Sequence, residues 1–501
     1  MSVVCQWLTQ AAAAGCSSAI ATGGTIRAGR AARLELLQKS RLVIVGSVGG
    51  IVLLLDGPEA SLAVDSGPTL ARTRRLAPHL ELRAGFRLTT TAASTGSAPD
   101  GLLPRRRPVL GGEAASGQTQ SPRLRIRLGG VGSGSVQAMI DQPIRFGIVG
   151  SGCMGLEHIG NINALDGACV AALVDPHLPS LEAGIEAADG SVAVFDSPAD
   201  LARSGSVDAV VIATPDNAHI HTLRDLLGTG LHLLVEKPLC TTVEDCREVA
   251  TAAQSRDALL WVGLEYRYMA PVARLVEEVR SGTVGEVRML AIREHRFPFL
   301  AKVDDWNRFS RNTGGTLVEK CCHFFDLMNL VVDDKPERVM ASGGQSVNHL
   351  DEVYDGERSD ILDNAFVIVD YSGGARAMLD LCMFAEATHN QEEMSVVGEL
   401  GKVEAFVPDD LVRIGLRCEH SIGNVHSVKT ANEVPHLGGH HGSSFVELQR
   451  FAQAIRRGAR AEVSALDGLR SVAMGVAAHR SIDEGRPVLI SEVTEPADWH
   501  P

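Results

Sequence analysis

The chain predicts an α/β protein in two parts. A doubly wound parallel sheet comes first, and a second α/β domain with a large, mostly antiparallel open sheet follows. Three observations carry this expectation. Between Ile144 and Gly263, short apolar runs alternate with helix-length segments. The first run ends in Gly150-Ser151-Gly152-Cys153-Met154-Gly155, the signature of a tight turn leading into a helix. Beyond Tyr266 the apolar runs instead flank short glycine turns, which marks hairpins.

The elements follow in order. Ile144–Val149 is the first strand. Val170–Val174 is the second, closed by Asp175, 20 positions past Gly155. Residues 207–213 are almost wholly apolar, as a strand buried on both faces must be, and they end at the Thr214-Pro215 turn. Leu231–Val235 leads to Glu236-Lys237-Pro238. Thr242 is a suitable N-cap for a helix reaching Ala253, and Leu259–Gly263 is the sixth strand. A helix over 270–280 leads to a strand over 286–295. A continuous helix is expected from Gly315 to Val331. Residues 365–369 and 375–379 flank Ser372-Gly373-Gly374, and 395–398 and 402–406 flank a second turn. Two final helices, near 443–457 and 466–484, are expected to return beside the first domain. The domain bounds are therefore 143–266, 267–440 and 441–501.

Residues 1–142 are different in kind. They are rich in Ala, Gly, Ser, Thr and Arg, and show no sustained period apart from the Leu42–Leu55 run. They carry 16 basic and 8 acidic residues, whereas the remainder carries 31 and 53. Three readings apply: a disordered extension, a transit peptide, because Arg27, Arg30 and Arg33 precede the first acid at Glu35, or sequence upstream of a start at Met139. The third is preferred.

Composition narrows the function. A 45% hydrophobic, 22% charged chain reads as globular. The acidic body argues against nucleic acid as partner. The Leu42–Leu55 run falls short of the roughly 20 residues that span a bilayer, and no signal peptide precedes it. Ten cysteines without CxxC spacing suit a reducing, cytoplasmic setting. His440 and His441 adjoin, but no third ligand stands at metal spacing, so they read as a loop before a helix and no metal is expected.

The glycine turn carries the first chemical expectation. Gly150 permits the turn, Gly152 lets backbone approach a pyrophosphate, and Gly155 lets helix meet strand. The helix start at Cys153 and Met154 offers free N–H groups to phosphate. Asp175 is placed to accept from the adenosine ribose hydroxyls. No Arg or Lys follows it to meet a 2′-phosphate, which favours NAD over NADP. Lys237 stands past the C-terminal end of a parallel strand, where such sheets bind ligands. Its ammonium can polarise a substrate hydroxyl. Glu319 and His323, four apart on the expected helix, form a pair able to move a proton, with His323 as base. Thr214 and Pro215, in the turn after the strand over 207–213, are expected to contact the cofactor, and His219 near them either touches the ribose or caps a helix. Arg267, Tyr268, Trp306 and Arg308 are candidates to line the substrate pocket.

These motifs, in this order, resemble the Gfo/Idh/MocA oxidoreductases: Gly150-x-Gly152-x-x-Gly155, Ala213-Thr214-Pro215-x-x-x-His219, Glu236-Lys237-Pro238, then Gly314-Gly315 with His323 and Asp326. The resemblance runs from about 143 to 488. It implies a Rossmann domain plus an α/β domain whose open sheet makes a dimer or tetramer contact. It also implies that Lys237 and His323 are the catalytic pair beside the nicotinamide, with Glu236 among the cofactor contacts. Many members have Asp four residues before the histidine; here that residue is Glu319. The expected activity is NAD-dependent oxidation of a secondary alcohol in a sugar, cyclic polyol or derivative. Two alternatives are an NAD-dependent glycosidase of the same family and a nucleotide-binding regulator without turnover.

Overall fold

The computed structural model describes residues 142–418 and 423–499, together with two short strands, Leu42–Val48 and Ile51–Asp56. Those two strands pair antiparallel with each other inside a unit, 19–129, distinct from the unit that holds the two sheets below. The expectations for the rest of 1–141 lie outside the described residues.

The first sheet has six strands: β1 (Ile144–Val149), β2 (Ala168–Val174), β3 (Ala193–Val194), β4 (Ala209–Ile212), β5 (His232–Glu236) and β6 (Leu260–Gly263). Their order is β3-β2-β1-β4-β5-β6, and every neighbouring pair is parallel. All four residues of β4 are buried, as a central parallel strand with helices on both faces requires. The expected strand over 207–213 is shorter at both ends. Asp208 stays out of it and binds Arg145 of β1, with its carboxylate 2.8 Å from Nη2. Between β1 and β4 the order reverses, which opens the crevice where doubly wound sheets take ligands.

Helix α1 (Cys153–Asn163) leaves β1 through the glycine turn and buries Ile159 and Ile162. Then come α2 (Leu178–Ala187), α3 (Pro198–Ser204), α4 (His219–Leu226) and α5 (Val243–Ala253). Thr242 caps α5, its hydroxyl accepting from Asp245 N–H at 3.2 Å.

The second sheet has nine strands: β7 (Val287–His295), β8 (Pro336–Gly344), β9 (Asn364–Tyr371), β10 (Arg376–Cys382), β11 (Glu392–Gly398), β12 (Gly401–Val407), β13 (Leu411–Leu416), β14 (Val425–Lys429) and β15 (Val488–Leu489). Their order is β14-β13-β12-β11-β7-β10-β9-β8-β15. Pairing is antiparallel except between β7 and β10, which run parallel, so the sheet is mixed. Burial alternates along β9: Ala365, Val367 and Val369 are buried while Phe366 and Ile368 are exposed. One face thus meets helices and the other is bare. Helix α6 (Ala270–Arg280) and α7 (Cys322–Val332) belong to the covered core.

The expected continuous helix from Gly315 to Val331 is instead two pieces. Thr316–Glu319 forms one turn, Lys320 and Cys321 form a break, and α7 starts afresh at Cys322. Finally, α8 (Ser443–Arg457) packs on α1, and α9 (Ala465–Glu484) packs on both α5 and α7. Ser464 and Asp467 form a capping box at the start of α9.

Candidate active site

The crevice at the end of β1 is shaped by its three glycines. A side chain at Gly155 would meet the Gly150 carbonyl at 2.0 Å, so helix and turn touch there. At Gly152 a Cβ would meet nothing within 4 Å. The space over the turn is open to a diphosphate, and the first-turn N–H groups of α1 border it. Asp175 is held in place by two backbone donors, Ser151 N–H at 2.6 Å and His177 N–H at 2.8 Å, one to each oxygen. Each oxygen keeps a lone pair for a ribose hydroxyl. The residues present fit a dinucleotide. Thr214 and the exposed Pro215 form the neighbouring turn after β4.

Lys237 leaves the end of β5 through a cis peptide to Pro238. Its ammonium reaches the second domain and donates to the Glu319 carbonyl at 3.3 Å. The helix break at Lys320–Cys321 makes this possible, because it frees that carbonyl from an α-helical ladder. Burial lowers the affinity of Lys237 for its proton, but Cys322, Asp216, Glu319 and Glu236 outweigh it and hold the amine firmly charged. Asp216 and Glu319 are both buried, and each has one carboxyl oxygen without a hydrogen-bond partner. Burial, then the neighbouring Glu319, pushes Asp216 well above the usual carboxylate range. Burial also raises Glu319, against the pull of Lys237.

His323 sits on the first turn of α7 and is buried. Its ring stacks on Tyr266 at 4.0 Å between centroids with an interplanar angle of 10°. Its Nδ1 lies 3.8 Å from Glu265 Oε2, beyond hydrogen-bond reach, and no group among the described residues binds either ring nitrogen. Burial, then Lys237 and Lys320, holds the imidazole well below its ordinary range and therefore neutral. The expected partner Glu319 does not take this place; the helix break turns it toward Lys237, and Glu265 faces the imidazole instead. Below Tyr266 lies a second buried cluster. Lys320 Nζ donates to the Tyr266 hydroxyl at 2.5 Å and lies 2.9 Å from Glu294, and the same hydroxyl is 3.4 Å from Glu392.

Several expected site residues are engaged elsewhere. His219 is fully buried, with Nδ1 2.8 Å from the Pro238 carbonyl and Nε2 3.1 Å from the Thr214 carbonyl. It ties the β4 and β5 turns together. Glu236 is buried against His158 of α1, 2.6 Å away. Arg267 forms a pair with Asp326, at 2.5 Å and 2.6 Å, and lies 3.5 Å from Asp467. Tyr268 stacks on Trp261 and donates to Glu462 at 3.3 Å. Arg308 is buried among Glu352, Asn307 and the carbonyls of Phe299 and Leu300. Trp306 is half-buried and its carbonyl accepts from Asn312. The residues that do meet Lys237 and His323 are Asp216, Glu265 and Tyr266. Each lies two to four residues past the end of β4 or β6, and that position was the available signal. His440 is no plain loop residue either: it lies 3.2 Å from Glu157 and 3.8 Å from Glu265.

The family model described as the oxidoreductase family's NAD-binding Rossmann fold matches residues 144–264, and its C-terminal alpha/beta domain matches 276–490. The chain belongs to the Gfo/Idh/MocA oxidoreductase family. Membership makes the first domain NAD-binding, in keeping with the Gly150–Gly155 turn. Among curated Gfo/Idh/MocA-like relatives, the chain is 26% identical over 368 residues to the myo-inositol 2-dehydrogenase of Thermotoga maritima, spanning 70% of this chain and 99% of that one. It is 25% identical over 349 residues to the inositol 2-dehydrogenase of Rhizobium meliloti, spanning 70% and 99%. Levoglucosan dehydrogenase solved with NADH and levoglucosan shares the fold, at TM-score 0.61 and 18% identity over 70% of this chain and 99% of that one.

Proposed function

We propose that this protein is an NAD-dependent dehydrogenase acting on a secondary alcohol of a sugar, a cyclic polyol or a derivative of one. The observation that carries the reading is the meeting of Lys237, from the nucleotide-binding domain, with the helix break that also presents His323 from the second domain. Bound NAD supplies the two-electron acceptor for the carbinol hydrogen. The chain's own residues handle the hydroxyl. Lys237, charged and pointed by the Glu319 carbonyl, stabilises the developing oxyanion. His323, neutral with Nε2 free, accepts the hydroxyl proton. Asp216 and Glu319, each with an unpartnered carboxyl oxygen, suit further hydroxyls of a polyhydroxylated substrate. The names of the relatives, inositol 2-dehydrogenase and levoglucosan dehydrogenase, support the same substrate class.

The bare face of the second sheet supports a homo-oligomer joined through it. Cys153, Cys169, Cys240, Cys246, Cys321, Cys322 and Cys382 are free thiols, which suits a reducing compartment. A panel of polyols and sugars, followed by NADH absorbance with NAD and NADP in parallel, tests the activity. Lys237→Ala is expected to lower turnover by about 10²- to 10³-fold and to leave NAD affinity unchanged by calorimetry. Near-normal turnover in that variant overturns the role of Lys237.

A further inference from the structure

His323 is 2% exposed, and a bound substrate would cover the little that remains. A base that takes one proton per turnover must pass it on. Glu265 stands at its back, with both carboxylate oxygens buried and without a hydrogen-bond partner. One oxygen lies 3.8 Å from His323 Nδ1, the other 3.8 Å from His440 Nε2. His440 Nδ1 lies 3.2 Å from Glu157, and its side chain is 28% exposed. Three groups, His323, Glu265 and His440, thus connect the buried imidazole to a part-exposed one, with Glu157 flanking the last. Two orphaned oxygens facing two imidazoles are poor structure, since each leaves a desolvation penalty unrelieved. They are the arrangement a proton conduit needs, closed by an intervening water or a small side-chain shift.

We infer that Glu265 and His440 form a relay that carries the substrate proton from His323 to solvent. This rests on the dehydrogenase reading above. As His323 Nε2 gains the hydroxyl proton, Nδ1–H gives its own to the Glu265 carboxylate, so the imidazole returns neutral. Glu265, now uncharged, no longer holds His440 as imidazolium. His440 releases a proton to water past Glu157 and then takes the one on Glu265. One proton has left and His323 stands as the Nε2–H tautomer; a proton passed back through Glu265 to Nδ1, with loss of Nε2–H to water once product departs, restores the base without a further co-reactant.

Proton affinity rises from His323 through Glu265 to His440, which draws the proton off the base. His323 is held low by burial and nearby cations. Burial brings Glu265 to about 7, with Glu236 adding to the rise and His440 and Lys237 opposing it. His440 stands at about 9, where Glu157 and Glu265 overcome burial. The other ionisable groups facing Glu265 are His158 of α1, Cys322 of α7, Tyr266 and Glu447 of α8.

Two measurements on the full-length protein judge the relay. In the first, NAD-loaded protein labelled at its histidines is examined by ¹⁵N NMR, which needs no turnover. His323 is expected as the Nδ1–H tautomer, and Glu265→Gln is expected to shift its resonances and lower the titration point of His440. In the second, any compound oxidised in the panel, myo-inositol first, is used at saturation. Glu265→Gln and His440→Ala are expected to lower kcat by about tenfold or more with little change in KM, and to enlarge the solvent deuterium effect. Free imidazole is expected to restore kcat to His440→Ala, and Glu265→Asp to keep part of the activity. An unchanged kcat, or a loss that imidazole does not restore and that brings no isotope effect, overturns the relay. A silent panel overturns the dehydrogenase reading alone. The tautomer of His323 and its response to Glu265→Gln still decide the relay in that case, and an Nε2–H tautomer indifferent to residue 265 sinks it.

Discussion

Gly152 and Gly155 stand three residues apart in one turn and meet opposite surroundings. A methyl at residue 155 collides with the Gly150 carbonyl, whereas one at residue 152 enters free space. Gly155→Ala is therefore expected to destabilise the domain by more than about 1 kcal/mol. Gly152→Ala is expected to hold its stability within about 0.5 kcal/mol and yet bind NAD markedly more weakly. Denaturation and calorimetry on both variants check the contrast; equal losses of stability would refute it. At this scale the sequence was legible wherever a residue's placement follows from local chain geometry, as for the tight glycine turn and the Thr242 cap. It was not legible at Glu265, Tyr266, Arg267 and Tyr268. These four form one turn of 3₁₀-helix, in which successive side chains point about 120° apart. Only the packing of α7 and α9 decides that Tyr266 faces His323 while Arg267 faces Asp326.

Helix α7 shows what periodicity can and cannot reveal. The apolar spacing from Leu317 to Val331 reads as one helix because a two-residue break hardly disturbs the 3.6-residue period. Yet the break at Lys320–Cys321 separates Glu319 from His323 and hands the Glu319 carbonyl to Lys237. Behind α7, Asp326 ties it to Arg267. Burial raises Asp326 to about 6, although Arg267 opposes the shift. Removing one member of a buried pair leaves the other charge without a partner. Asp326→Ala is expected to cost about 3–5 kcal/mol of stability while the protein that remains folded keeps its turnover. Replacing both residues by apolar ones of similar size is expected to cost less. Urea denaturation of the single and double variants measures this, and a single variant as stable as the parent would contradict the assignment.

Among the described residues, the second sheet presents a broad uncovered surface. Met340, Ile368 and Met378 lie in register on β8, β9 and β10, all exposed, with Phe366 beside them at 61% exposure. A contiguous apolar patch on a sheet face marks an association site. Phe366→Asp is expected to shift the protein toward monomer in sedimentation velocity; an unchanged oligomer would place the interface elsewhere. The two-sheet architecture was readable from the order of strand and helix signals. The parallel pairing of β7 with β10 was not, because it joins strands separated by some 80 residues of chain and depends on the assembled sheet.

The longest helix among the described residues, α9, rests on α5 of the cofactor domain and on α7 of the second domain at once. Gly315 lies so near it that a Cβ there would come within 2.4 Å of the His479 ring. A splint of this kind resists bending between its two supports. Opening the molecule like a jaw would shear both contacts together, so the cofactor domain and the second domain are held at one mutual angle.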